Sequence, residues 1–429
     1  MKIWIHGGRV VDPSQQLDER ADLLIEDGRV SQIGRPGNAP QGEGWQEIDA
    51  RGWIVAPGFV DMHVHLREPG REDKETVASG AAAAVAGGFS SLMCMPNTDP
   101  VNDCEAVTRY ILSKSHEARL ANVYPAGALT KGQRGEELAE IGEMVKAGIV
   151  AITDDGQPVM NNQVMRRALE YSRLFDIPVI DHCEDRALAA GGCMNESAAS
   201  TRLGLPGMSR TAEEVQVARD VMLSRITGGR SHIAHISTSE SLQHLRRARQ
   251  DGIDVSCEVT PHHFILSDED IRDYDTNFKM NPPLRTPTDV EAMLEGLRDG
   301  TIDCIATDHA PHTAIEKETT FEDAANGIIG LESALPLAWE YLVHKEVVSV
   351  SRLVELMSTH PSRILRLDRG TLKPGAVADV TVIDPEKEIT IDVSAFRSKS
   401  RNCPFEGWKL HGVPMLTLVE GRVVFDRRA

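Results

Sequence analysis

No run in this sequence approaches the ~18 apolar residues of a membrane span, and its first residues, Met1-Lys2-Ile3-Trp4-Ile5-His6-Gly7-Gly8, lack the apolar stretch of a signal peptide. No CxxC pair is present either. The seven cysteines are scattered and odd in number, which argues against a disulfide framework and predicts reduced thiols in a soluble cytoplasmic protein. Cys94, Cys183, Cys257 and Cys304 lie in apolar strand-like runs, where a free cysteine acts as a small buried hydrophobe. Cations are in deficit: 46 Lys+Arg face 65 Asp+Glu, for a net charge of −19. Such a field repels phosphate backbones and anionic membrane, so neither nucleic acid nor membrane is expected as a partner. An anionic substrate would have to be held by a few local cations. Internal repeats and low-complexity tracts are also missing.

What is present is a change of period along the chain. Residues 1–55 hold short alternating segments punctuated by glycine, and the last 60 or so, with Ala378-Asp379-Val380-Thr381-Val382-Ile383-Asp384 and Arg422-Val423-Val424-Phe425, read the same way. Between them, strand-like stretches at 59–65, 90–95, 122–128, 149–155, 179–182, 232–236, 254–259 and 304–308 alternate with helical patterns. The helices are expected at 76–86, 136–147, 164–175, 212–224 and 240–249. A chain of 429 residues is long enough for a large domain and a smaller one. Eight repeats predict an α/β fold, a (β/α)8 TIM-like barrel over 56–365. The two ends, 1–55 and 366–429, predict a composite, small β-sandwich-like domain.

Metal-ligand residues fall at the ends of those strands. In Asp61-Met62-His63-Val64-His65, the two-residue strand period points His63 and His65 the same way, with Met62 and Val64 on the packing side. Asp155 closes the fourth strand on the face of Ala151 and Thr153, whereas Asp154 falls on the other face. His182, His235 and Asp308 close the fifth, sixth and eighth strands. Four imidazoles and two carboxylates at the C-terminal rim suit zinc, and the count is enough for two ions sharing a bridge. A zinc-bound water has its pKa lowered toward ~7 and becomes a hydroxide nucleophile, so the implied chemistry is attack on an amide carbonyl. Asp308, at the mouth, is the expected acid/base.

A second set is suited to an anion. Arg67 lies one strand step above His65 and offers a donor fork matching a carboxylate. Asn97, Asn281 and His312 can add donors from the rim. His262 and His263 follow the seventh strand and are read as supporting residues, while His232 and His309 have the wrong parity to face inward. Residues 312–327, rich in charge and threonine, predict a long mobile loop over the mouth.

The runs Pro57-Gly58-Phe59-Val60-Asp61-Met62-His63-Val64-His65-Leu66-Arg67-Glu68-Pro69-Gly70, Met95-Pro96-Asn97-Thr98, Thr153-Asp154-Asp155-Gly156, Lys279-Met280-Asn281-Pro282-Pro283-Leu284-Arg285 and Thr307-Asp308-His309-Ala310-Pro311-His312 resemble the type I dihydroorotases of the amidohydrolase superfamily. The closing Ser398-Lys399-Ser400-Arg401-Asn402-Cys403-Pro404-Phe405 is similar as well. The resemblance implies reversible cyclisation of N-carbamoyl-L-aspartate to dihydroorotate in pyrimidine synthesis. It implies one zinc on His63, His65 and Asp308, with Asp155 bridging to a second on His182 and His235. Arg67, Asn97 and His312 would hold the substrate carboxylate, and Asn281 would contact the ring. Many relatives carry a Phe-Gly pair in the loop where this chain has Asn326-Gly327, which leaves the expected contact to the Gly327 backbone. Hydantoinases and allantoinases are also similar but bridge their metals with a carboxylated lysine, and the fourth strand offers none. Some dihydroorotase-like chains have lost their ligands and serve as partners of aspartate carbamoyltransferase. Here every ligand is present, so the expectation is an active enzyme, a homodimer able to associate with that transcarbamoylase.

Overall fold

The computed structural model describes residues 1–35, 37, 40 and 42–428. Parallel pairing runs from Phe59–Val64 to Phe89–Cys94, then to Asn122–Pro125, which continues after Ala126 as Gly127–Ala128. From there it passes through Ile152–Thr153, Val179–Asp181, Ser231–Ile233, Val255–Val259 and Cys304–Ile305. A parallel bridge between Val64 and His309 returns the eighth segment to the first, so the pairings close into a ring. Helices pack outside it, as expected for parallel strands that must be buried on both faces. Thr76 caps Val77–Ala86 and Thr286 caps Pro287–Asp299, each side-chain oxygen accepting from the backbone N–H three residues on.

The paired segments are shorter than their sequence patterns. The fourth, expected over 149–155, pairs only at Ile152–Thr153, and the helix expected over 136–147 forms only at Ile141–Ala147. Residues before that helix are drawn into local pairing instead, with Lys131 N donating to Glu137 O and Ala139 N to Leu129 O. One facing is corrected. Met62 does not share the packing side with Val64; it lies in a buried cluster with Met93, Ala126, Ala151, Ile180, Ala234 and Cys304, one residue from most ring strands. The register shift between Asp61 and Val64 breaks the two-residue alternation, letting Met62 and His63 both turn inward.

Strands from the two chain ends form one eight-stranded sheet, in which Lys2–Asp12 is central and Ile54–Pro57 pairs with Val380–Asp384. Its core joins Ile3, Ile5, Leu23 and Ile25 to Val382, Leu416 and Leu418. Asp12 ties the ends together. Its carboxylate, fully buried, accepts from Ser14 N at 2.9 Å, Leu372 N at 2.7 Å and Gln15 Nε2 at 2.7 Å. No helix among the described residues is long and apolar enough to cross a membrane. Replacing Asp12 with alanine strands two backbone donors and should cost about 2–4 kcal/mol of stability. Urea unfolding checks this, and an unchanged midpoint would show that Asp12 does not join the two ends.

Candidate metal centre

The candidate ligands sit where ring strands end and the backbone bends away from ideal geometry. His235 and Asp308 adopt positive φ, 30° and 47°, and Arg67 does so at 61°. Such a backbone is costly outside glycine and persists only where surroundings enforce it. The side chains beside these distortions converge on one point.

That point is Asp155. Its Oδ1 lies 3.3 Å from His63 Nε2 and 3.8 Å from both His182 Nδ1 and His235 Nε2, and its Oδ2 lies 3.5 Å from His65 Nε2. Asp308 Oδ1 lies 3.0 Å from His65 Nε2 and 3.5 Å from His63 Nε2. Asp154 points elsewhere, accepting from Thr130 N at 3.0 Å and from the Thr130 hydroxyl. Two clusters of possible ligand atoms share His63: one with His65 and Asp308, the other with Asp155 and His235. His182 adjoins the second, its Nδ1 3.0 Å from His235 Nε2.

The donor set fits a metal. His63 Nε2 and Asp155 Oδ1 are buried and have no hydrogen-bond partner, an arrangement that costs free energy unless a cation takes the lone pairs. Ligands of a tetrahedral zinc stand about 3.4 Å apart, which matches the separations above. Electrostatics agree. Burial would raise the carboxyl of Asp155, but His63 and the other imidazoles hold it well below the usual carboxylate range. Asp308 is likewise lowered against burial by His63 and His65. Burial opposes charge on His63 too, yet Asp155, Asp308 and Glu258 push it well above the ordinary histidine value. The cluster therefore demands positive charge, from protons or from metal.

Outer partners fix the rings. His63 Nδ1 lies 2.7 Å from Glu258 Oε1, whose second oxygen lies 3.2 Å from His232 Nε2, and His232 Nδ1 meets Ser256 Oγ at 2.8 Å. Burial raises Glu258, but His63 and His232 bring it down to about 2. An ionised Glu258 accepts the Nδ1 proton and leaves His63 Nε2 free for a metal. Asn97 Oδ1 does the same for His65 Nδ1 at 2.9 Å. Below them, Asp61 accepts from Thr307 N at 3.2 Å, Thr307 Oγ1 at 2.6 Å and His63 N at 3.0 Å, tying the first strand to the last. Burial nevertheless pushes Asp61 up to about 7.

Above this cluster lies a cavity of about 360 Å³ lined by Arg67, Asn97, Asn281, His312, Asn326 and Gly327, among others. Its size suits a small molecule. Burial pulls Arg67 down to about 10, against the attraction of Asp308 and Asp155. Burial, then Arg67 and Lys74, push His312 down to about 3, so it is neutral. Asn281 Nδ2 donates to Glu184 Oε2 at 2.7 Å, leaving its buried Oδ1 unpartnered. No lysine lines this cavity among the described residues. His263 is engaged with Thr260 Oγ1 and Pro282 O, and neither it nor His262 lines the cavity.

Glu258, Asp61, Glu184 and the cavity-lining Gln133 are contributors that motif reading passes over. A charged residue inside Val255-Ser256-Cys257-Glu258-Val259 was the available signal, because a buried acid in a strand needs a partner.

A family profile described as dihydro-orotase-like matches residues 52–241, and one described as amidohydrolase family matches 208–425. A dihydroorotase of Pelobacter propionicus is 54% identical over 427 residues, covering 100% of both chains, and one of Geobacter metallireducens is 52% identical with the same coverage. The chain belongs to the dihydroorotase family of amidohydrolases. The solved L-hydantoinase (dihydropyrimidinase) from Arthrobacter aurescens matches with a TM-score of 0.88 at 26% identity, over 99% of this chain and 96% of that one. For this member of the dihydroorotase family, Glu258→Gln should weaken metal retention about 10–100-fold while the fold persists. Chelator competition measures it, and undiminished retention would remove Glu258 from the support of His63.

Proposed function

We propose that this chain is a zinc-dependent dihydroorotase, converting dihydroorotate and water reversibly to N-carbamoyl-L-aspartate in pyrimidine synthesis. The observation that carries the reading is the Asp155-centred cluster lying directly beneath a small cavity that presents Arg67, Asn97 and Asn281. The full-length relatives at 52–54% identity support the same substrate. Two zinc ions are assigned: His63, His65 and Asp308 would hold one, His182 and His235 the other, with Asp155 between them. The scaffold is read as a (β/α)8 barrel over 56–365 with a composite β domain from 1–55 and 366–429. A cytoplasmic homodimer able to associate with aspartate carbamoyltransferase completes the reading.

When bound, zinc supplies Lewis-acid polarisation of a carbonyl and a lower pKa for water. The residues of the chain do the rest. Hydrolysis adds water oxygen to the ring carbonyl carbon and moves one proton to the departing ring nitrogen. Asp308, held ionised by His63 and His65, can take that proton at its carboxylate and return it to nitrogen. Arg67 supplies guanidinium donors for the substrate carboxylate, with Asn97 beside it. Asn281 Oδ1, the unpartnered acceptor, suits a ring N–H. Neutral His312 stands beside Arg67 without repelling it, its one N–H engaged by Asn326 O.

Zinc-loaded protein should interconvert dihydroorotate and N-carbamoyl-L-aspartate. Turnover of a hydantoin or allantoin instead, with none of dihydroorotate, would overturn the substrate. Arg67→Lys keeps the charge but loses the fork, and should weaken substrate binding by about 1–3 kcal/mol. A KM equal to that of the unmodified enzyme would remove Arg67 from the carboxylate site.

A further inference from the structure

The 312–327 segment, expected as a mobile loop over the mouth, is folded against it and hydrogen-bonded from behind. Thr313 caps a short turn of helix, Ala314–Lys317, and Lys317 at its end is only 6% exposed. The Lys317 ammonium donates to three backbone carbonyls: Ala325 O at 2.9 Å, Gly327 O at 3.1 Å and Lys279 O at 3.3 Å. An ammonium has three N–H groups, so this cage satisfies all of them. Among the described residues no carboxylate stands within ion-pair distance of it. A buried cation without a counter-ion is costly, and an apolar side chain would fill the space at less expense. Burial and the nearby Lys279 indeed pull Lys317 down to about 7, with Asp275 opposing.

We propose that Lys317 is a positioning residue for substrate, its ammonium tying the 312–327 loop shut and so fixing the backbone of Asn326 and Gly327 over the cavity. The proposal rests on reading that cavity as the substrate site. Gly327 is held at both ends of its peptide units, its N–H donating to Lys279 O at 2.9 Å and its carbonyl also accepting from Asn402 Nδ2 at 3.0 Å. Its φ of +125° and the 2.6 Å approach that a Cβ would make to Ala310 Cβ leave no room for another residue. His312 Nε2 meets Asn326 O at 2.8 Å, so the tie also sets the ring that stands beside Arg67. Lys317 does not itself line the cavity; it faces the outer groove and acts through the loop.

The zinc-loaded full chain tests this through Lys317→Met and Lys317→Ala. Lys317→Met should keep its metal content, exchange the amides of 312–327 faster, and raise KM for dihydroorotate about tenfold with a smaller change in kcat. Ethylammonium should partly restore the KM of Lys317→Ala, and ethanol should not. Unchanged loop exchange with unchanged KM in Lys317→Met would overturn the proposal. Should both variants fail to fold, amine labelling of the unmodified protein decides: Lys317 should react far more slowly than exposed Lys373, and equal rates would overturn the tie. Absence of dihydroorotate turnover in unmodified protein would strike the functional reading alone, and the exchange comparison would still decide whether Lys317 holds the loop.

Discussion

A buried carboxylate, Asp155, stands within 3.3–3.8 Å of four imidazoles, and the rest of the structure is organised around that concentration of lone pairs. Burying two ionised acids is expensive unless positive charge enters with them. Without a metal, the protein would have to supply protons, and the raised values of His63 and His182 express that demand. With a metal ion bound, the same geometry would serve as a ligand shell. The positive φ angles of His235 and Asp308 and the register shift after Asp61 are backbone distortions that a simple ring of strands would not need. They concentrate where the candidate ligands converge, which is where strain is expected to serve function.

The second layer is as specific as the first. Glu258 joins His63 to His232 across two strands, and Asp61 joins the first strand to Thr307 of the last. The C-terminal segment contributes too. Asn402 accepts from His312 N at 3.2 Å while its amide donates to Ala310 O and Gly327 O. A residue far along the chain thereby sets both the ring beside Arg67 and the loop carbonyl over the cavity, coupling the C-terminal segment to the site.

Much of this was legible in the sequence because strand alternation and strand ends are short-range properties. His63 with His65, and Asp155 rather than Asp154, follow from parity alone, and the structure brings these residues together with His182, His235 and Asp308. Alternation failed at Met62, where a register shift intervenes, since a shift depends on the neighbouring strand and leaves no local trace. Glu258 was missed for a related reason: its partners His63 and His232 are distant in sequence, and an acid in an apolar strand does not announce which histidine it holds. The polar composition of the 312–327 loop predicted mobility and said nothing of its contacts. The contacts of Lys317 with three carbonyls are backbone chemistry that composition cannot carry.

Anomalous X-ray diffraction at the zinc edge, from crystals of zinc-replete protein, tests the metal centre most directly. Two peaks should appear on either side of the Asp155 carboxylate, each about 2.0–2.2 Å from a carboxylate oxygen and from its histidine nitrogens. A zinc peak remote from Asp155, or none near His63 and His65, would contradict the account.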